Sequence, residues 1–120
     1  MSYIKTKKEV IINSRTGEKS FIAFRKFSLL NAALENPITR FTLEICKVSA
    51  ISIKDFSGND INEEVLETIE NVETSFVSDI YDSINFSDTN DVLENFKVLI
   101  SENSENFFQL KLEDLEIINN

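Results

Sequence analysis

Asp60-Ile61-Asn62-Glu63-Glu64-Val65-Leu66-Glu67-Thr68-Ile69-Glu70-Asn71-Val72-Glu73-Thr74-Ser75-Phe76-Val77-Ser78-Asp79-Ile80-Tyr81-Asp82-Ser83-Ile84 is the stretch on which the fold turns. Ile61, Val65, Ile69, Val72, Phe76, Ile80 and Ile84 recur every three or four residues, and Leu66, Val77 and Tyr81 widen the stripe. That spacing predicts an amphipathic helix over residues 61–84. Asp60 with Glu63 resembles a capping box at its start. The opposite face would carry Glu63, Glu64, Glu67, Glu70, Glu73, Asp79 and Asp82, with no Lys or Arg. Like charges three or four apart on a helix repel by a few tenths of a kcal/mol per pair. Such a helix is therefore either well held by its apolar face in this chain's own core or meets a basic partner.

Outward from this segment, Asp55-Phe56-Ser57-Gly58-Asn59-Asp60 reads as a turn. Upstream, Asn36-Pro37 is a helix-start signal. Phe41, Ile45 and Val48 fit helical spacing, while Phe41, Leu43 and Ile45 fit strand spacing equally well. The start signal favours a helix over 37–50. Ser28 caps a shorter helix, Leu29 to Glu35. The N-terminal region reads as a β-hairpin over about 3–27, its strands flanking Asn13-Ser14-Arg15-Thr16-Gly17-Glu18. Gly17 supplies the positive φ. Downstream, Asp88 with Asp91 opens a helix through Ile100, and Phe108, Leu110 and Leu112 alternate as a strand over 107–113. Leu115, Ile117 and Ile118 make a last docked turn. The expected fold is α+β: one domain, residues 1–120, with a small antiparallel sheet packed by three or four helices, the helical region spanning 28–100.

With 120 residues, 42% apolar and ten phenylalanines, the chain can build a core without disulfides or metal. Cys46 is the single cysteine, which fits a reducing compartment, and it reads as a small core residue. No signal-peptide h-region or membrane-length apolar stretch is seen, so a cytoplasmic location is expected. Charge is unevenly divided. Residues 1–54 hold ten Lys/Arg and four Asp/Glu; residues 55–120 hold two and seventeen, giving +6 and −15 within a total of −9. A split of this kind suits an interaction surface or self-association into a homo-oligomer.

The chain contains no histidine. The commonest general base, the commonest metal ligand and every Ser-His or Cys-His pair are thereby removed. Two glycines cannot build a phosphate loop or a dinucleotide-binding turn. Asp55, Ser57, Asn59 and Asp60 resemble a piece of a calcium loop, but Leu66 stands where its twelfth-position Glu belongs. Paired carboxylates such as Glu63-Glu64, or Asp79 with Asp82, read as a solvated face. No cofactor, metal or catalytic activity is expected. Lys5, Lys7, Lys8, Arg15, Lys19, Arg25 and Lys26, with Phe21 and Phe24 nearby, could touch phosphates. The acidic half would repel a polyanion, so nucleic acid is not the expected partner.

A hairpin leading into Phe24-Arg25-Lys26-Phe27-Ser28, followed by helices and by Asp79 within a long amphipathic helix, resembles the small tail and baseplate-hub assembly chaperones of tailed bacteriophages. Lys26 stands where that family often has Pro, and Asn31 where it often has an acid. The resemblance implies a non-catalytic protein that binds a structural protein during virion assembly, in the host cytoplasm or the particle. The expected partner is thus another protein, met through Arg25 and Lys26 of the hairpin and through Glu63, Glu67, Glu70, Glu73, Asp79 and Asp82. The alternative is an acidic inhibitor, a DNA mimic or immunity protein, occupying a basic site on its target.

Overall fold

The computed structural model describes residues 2–31, 38–77 and 87–119. These residues hold seven strands and one α-helix, β1 Tyr3–Thr6, β2 Val10–Asn13, β3 Glu18–Ser20, β4 Ile22–Asn31, β5 Ile38–Lys54, β6 Asp60–Val77, α1 Thr89–Glu102 and β7 Leu115–Ile118, with two 3-10 helices, Ser104–Asn106 and Leu112–Asp114, between α1 and β7. Five strands form an antiparallel sheet in the order β6-β5-β4-β1-β7, and β2 pairs with β3 in a separate hairpin.

The expected sheet packed by three or four helices is therefore wrong. Residues 29–31 extend β4, residues 38–54 are β5, and residues 60–77 are β6, where three helices were expected. Asn36-Pro37, Asp79 and Asp82 lie outside the described residues. The helix at Asp88 does form. The Asp88 carboxylate accepts from the amides of Asn90 and Asp91, at 3.0 and 3.4 Å. The strand expected over 107–113 is instead a turn at 107–109 followed by a 3-10 helix, Leu112–Asp114. Phe108 and Gln109 both have φ near +57°, which reverses the chain. Strand β7 follows where a docked turn was expected.

Two β-bulges explain how strands came to carry helical spacing. In β6, Ile45 pairs with Glu70 and Cys46 with Thr68, so Ile69 is the extra residue. Val65 and Val72, seven apart, thus share one face. In β4, Arg25 pairs with Glu44 and Ser28 with Thr42, which leaves one residue extra. Phe24 and Phe27, three apart, both turn to the core as a result. Lys26 forms this bulge in the left-handed region at φ 56°. That region costs a non-glycine residue about 1 kcal/mol or more. The Lys26 side chain is 62% exposed on its ion pair with Glu44, so the pair adds little. Lys26→Gly is accordingly expected to leave thermal stability unchanged or slightly raised, and Lys26→Val to lower it by about 1–2 kcal/mol. Chemical denaturation of the two variants measures both.

The core lies on the front of the sheet. Ile4, Ile22, Phe24, Phe41, Leu43 and Ile45 of the sheet meet Leu93, Phe96, Leu99 and Ile100 of α1, with Phe107, Leu110 and Leu115 closing the end. Phe24, Phe41, Phe96 and Phe107 form an aromatic cluster with centroids 5.9–6.1 Å apart. On the back, Ala23 and Cys46 are small and fully buried, and Tyr3 packs against them, beside Val48 and Leu66.

Candidate interaction arm

Strands of 17 and 18 residues far exceed the usual 3–10. At about 3.3 Å per residue β5 is roughly 56 Å long, close to the 60 Å longest dimension of the molecule. Strand β4 accompanies β5 only as far as the Ile22–Lys47 pair, with one further bond from the Val48 amide to the Phe21 carbonyl. From Ser49 onward β5 has only β6 beside it among the described residues. Residues 49–65 are thus a two-stranded arm standing beyond the sheet. Its tip is closed by Asp55, whose carboxylate accepts from the amides of Ser57 and Asn59 at 2.8 and 2.9 Å, with Gly58 at φ +82°.

The arm's front continues the core face past the point where α1 covers it. Ile51, Ile53, Ile61 and Val65 there are 38–41% exposed, and Phe56 at the tip is fully exposed. Ile53, Phe56 and Ile61 line an open hollow with Lys54 and Asp55. Ile61, Val65 and Ile69 of the stripe are therefore not buried in this chain's own core, whereas Leu66 on the back and Val72 beyond the bulge pack partly against it.

The root of the arm is braced from behind. Lys5 bridges Glu64, and the Tyr3 hydroxyl donates to the same carboxylate at 3.2 Å. The lysine contact holds the Glu64 carboxyl below its usual range. Burial, then the Glu64 carboxylate, pushes the Tyr3 phenol up. Glu73, also on the back, pairs with Arg40 at 3.2 Å. The front acids differ. Glu63, Glu67 and Glu70 have no cation within ion-pair distance among the described residues; Lys47, across from Glu67, bridges Glu18 instead at 3.0 Å. The five glutamates expected on one helix face are thus divided between two sheet faces, and only those behind are neutralised.

Arg25 and Lys26 were expected to meet a partner. In this structure both pair with Glu44. Glu44 is 5% exposed, and its carboxylate accepts from Arg25 Nε at 2.8 Å and from Thr68 Oγ1 at 2.5 Å, with Cys46 Sγ at 3.5 Å and Lys26 Nζ at 3.1 Å. The Thr68 and Arg25 hydrogen bonds, against the opposing effect of burial, draw the carboxyl down to about 2. Cys46 is buried, and burial pushes its thiol up, away from the thiolate that redox chemistry needs. Among the described residues every buried side-chain nitrogen and oxygen has a partner, and no group of three or more Cys, Asp or Glu is placed to hold a metal ion.

The charge split is in part an internal complement. Lys5–Glu64, Lys8–Asp114 and Arg40–Glu73 each join the basic N-terminal half to the acidic C-terminal half. The missed signal was this pairing, together with seven β-branched residues among the eighteen of β6. No helix of the described residues is long and apolar enough to cross a membrane. Comparison with protein-family models, with curated proteins and with solved structures found no match for this chain.

Proposed function

We propose that this chain is a non-enzymatic protein-binding module, an assembly chaperone or structural adaptor, and that the β5–β6 arm is its contact surface. The carrying observation is the exposed apolar front of residues 51–65, raised on a braced two-stranded projection. An isolated hairpin is marginal in water. Here β5 and β6 run on into the five-stranded sheet, which supplies the rigidity the arm lacks. Exposed isoleucines with a fully exposed phenylalanine at the tip suit insertion into a groove or against a sheet of another protein.

The element order behind the phage-chaperone resemblance included helices after Ser28 and across 61–84, whereas residues 28–31, 38–54 and 61–77 are strands. Support for the adaptor reading thus comes from the arm alone. The acidic-inhibitor alternative is weakened, because Glu64, Glu73 and Asp114 are occupied by this chain's own cations.

A photo-crosslinking residue placed at position 56 or 61 is expected to capture one defined protein, identified by mass spectrometry, from the native lysate. The same residue at Thr16, on the far hairpin, is expected to capture nothing specific. Equal capture at both sites, or none at the arm, would remove the arm from the function.

A further inference from the structure

Strand β6 ends the sheet, and among the described residues no strand pairs with its outer edge. Its backbone amides and carbonyls there form a template for an added strand. The free edge of β5 is much shorter, running only from Ser49 to Lys54. Ahead of the Ile69 bulge, alternation places Ile61, Glu63, Val65 and Glu67 in one row on the front face, across from Ile53, Ile51, Ser49 and Lys47. The row reads apolar, acidic, apolar, acidic. Glu63 and Glu67 are free of internal cations among the described residues, as shown above.

Building on the arm reading, we propose that the β6 edge from Ile61 to Glu67 takes up an extended segment of a partner protein as a sixth strand, and that this segment carries apolar and basic residues in alternation on the matching face. Directly opposed side chains in neighbouring strands interact most strongly. A lysine or arginine across from Glu63 and from Glu67 completes the two unneutralised carboxylates, and a branched aliphatic residue across from Ile61 and from Val65 covers exposed apolar surface.

A second copy of this chain is a poor occupant. Strand β6 carries Asp60, Glu63, Glu64, Glu67, Glu70 and Glu73 and no cation. Edge-to-edge pairing of two copies sets glutamate against glutamate or against an aliphatic side chain in every register. Like charges directly opposed destabilise a strand pair. The same acids that bar self-pairing select a basic strand, which is how charge gives specificity at an edge.

The test uses the full chain and a fluorescent nine-residue peptide, with valine and lysine alternating on one face and threonine on the other. Saturable binding is expected by anisotropy, at least tenfold weaker at high salt than at low salt. Replacing the peptide's lysines by glutamate should abolish it. Methylating the peptide's alternate pairing amides should weaken it at least tenfold, since that removes strand hydrogen bonds without touching charge. The Glu63→Lys/Glu67→Lys variant should exchange the two preferences, and circular dichroism should show it folded.

No binding, or binding indifferent to amide methylation, overturns the proposal. So does a stable dimer of the chain alone that excludes the peptide, which would assign the edge to a second copy. If crosslinking at position 56 still captures its protein while the peptide fails, the arm reading stands and the edge proposal falls.

Discussion

Phe41→Ala is expected to lower stability by about 3–5 kcal/mol, the usual cost of emptying a buried phenylalanine site. Phe41 is fully buried on β5, with Phe96 of α1 and Phe107 each 6.1 Å away between centroids. It joins the sheet, the helix and the closing turn, so little can collapse into the space it leaves. A domain of this size is stable by about 5–15 kcal/mol in total, and a Tm fall of roughly 10–20 °C follows. Phe56→Ala is the matched control. The same side chain is removed from the tip of the arm, where it is fully exposed. Stability should stay within about 0.5 kcal/mol, while crosslinking or co-purification through the arm should decline. A Phe41→Ala protein that melts like the wild type would show that the aromatic cluster is not the core's centre.

Glu44→Gln is the second large effect. In the wild type the carboxylate meets Arg25, Thr68, Lys26 and Cys46 within a nearly closed site. Glutamine keeps the shape but leaves the Arg25 guanidinium without its counter-charge, and removing one partner of a buried ion pair is the costly case. A Tm fall of about 5 °C or more at neutral pH is expected. The acid limb adds a second readout. Glu44 has a folded pKa of about 2, below the ordinary 4.5. A depressed folded pKa means that stability from this group is fully present above about 4.5 and is lost as pH falls through 2. Wild-type Tm should therefore fall across that window, and the gap between wild type and Glu44→Gln should narrow there. Glu64 and Asp114 are also drawn down, by Lys5 and by the Lys111 amide respectively, so both proteins retain some acid dependence. A gap that stays constant from neutral pH to pH 2 would count against the network.

The helix expected over 61–84 shows why periodicity failed. A separation of four residues, as between Ile61 and Val65, is one helical turn and also two strand repeats. The three-residue step from Ile69 to Val72 fits a helix and not an unbroken strand. It is the Ile69 bulge that brings Val72 back to the front. Phe24 and Phe27 did the same in β4 through Lys26. The acids carried the contrary signal. On a helix Glu63, Glu64, Glu67, Glu70 and Glu73 crowd one face; on a strand Glu64 and Glu73 reach Lys5 and Arg40, which lie far away in the chain. The Arg25–Glu44 pair was equally hidden, because it depends on the β4–β5 register.

Wherever a conformation rests on a residue and its near neighbours, the amino-acid order was sufficient. Gly17 and Gly58 turn at φ +73° and +82°, and Asp88 caps α1. Backbone sterics and short-range hydrogen bonds fix those features without help from elsewhere. Whether residues 38–54 and 60–77 coil or extend was decided by the seventeen-pair ladder between β5 and β6. The burial of Phe41 under α1 and the bracing of Glu64 from β1 acted in the same direction. Strand hydrogen bonds and cross-strand ion pairs exist only once distant segments meet, so an intrinsic preference that is nearly even between helix and strand is settled by tertiary contact.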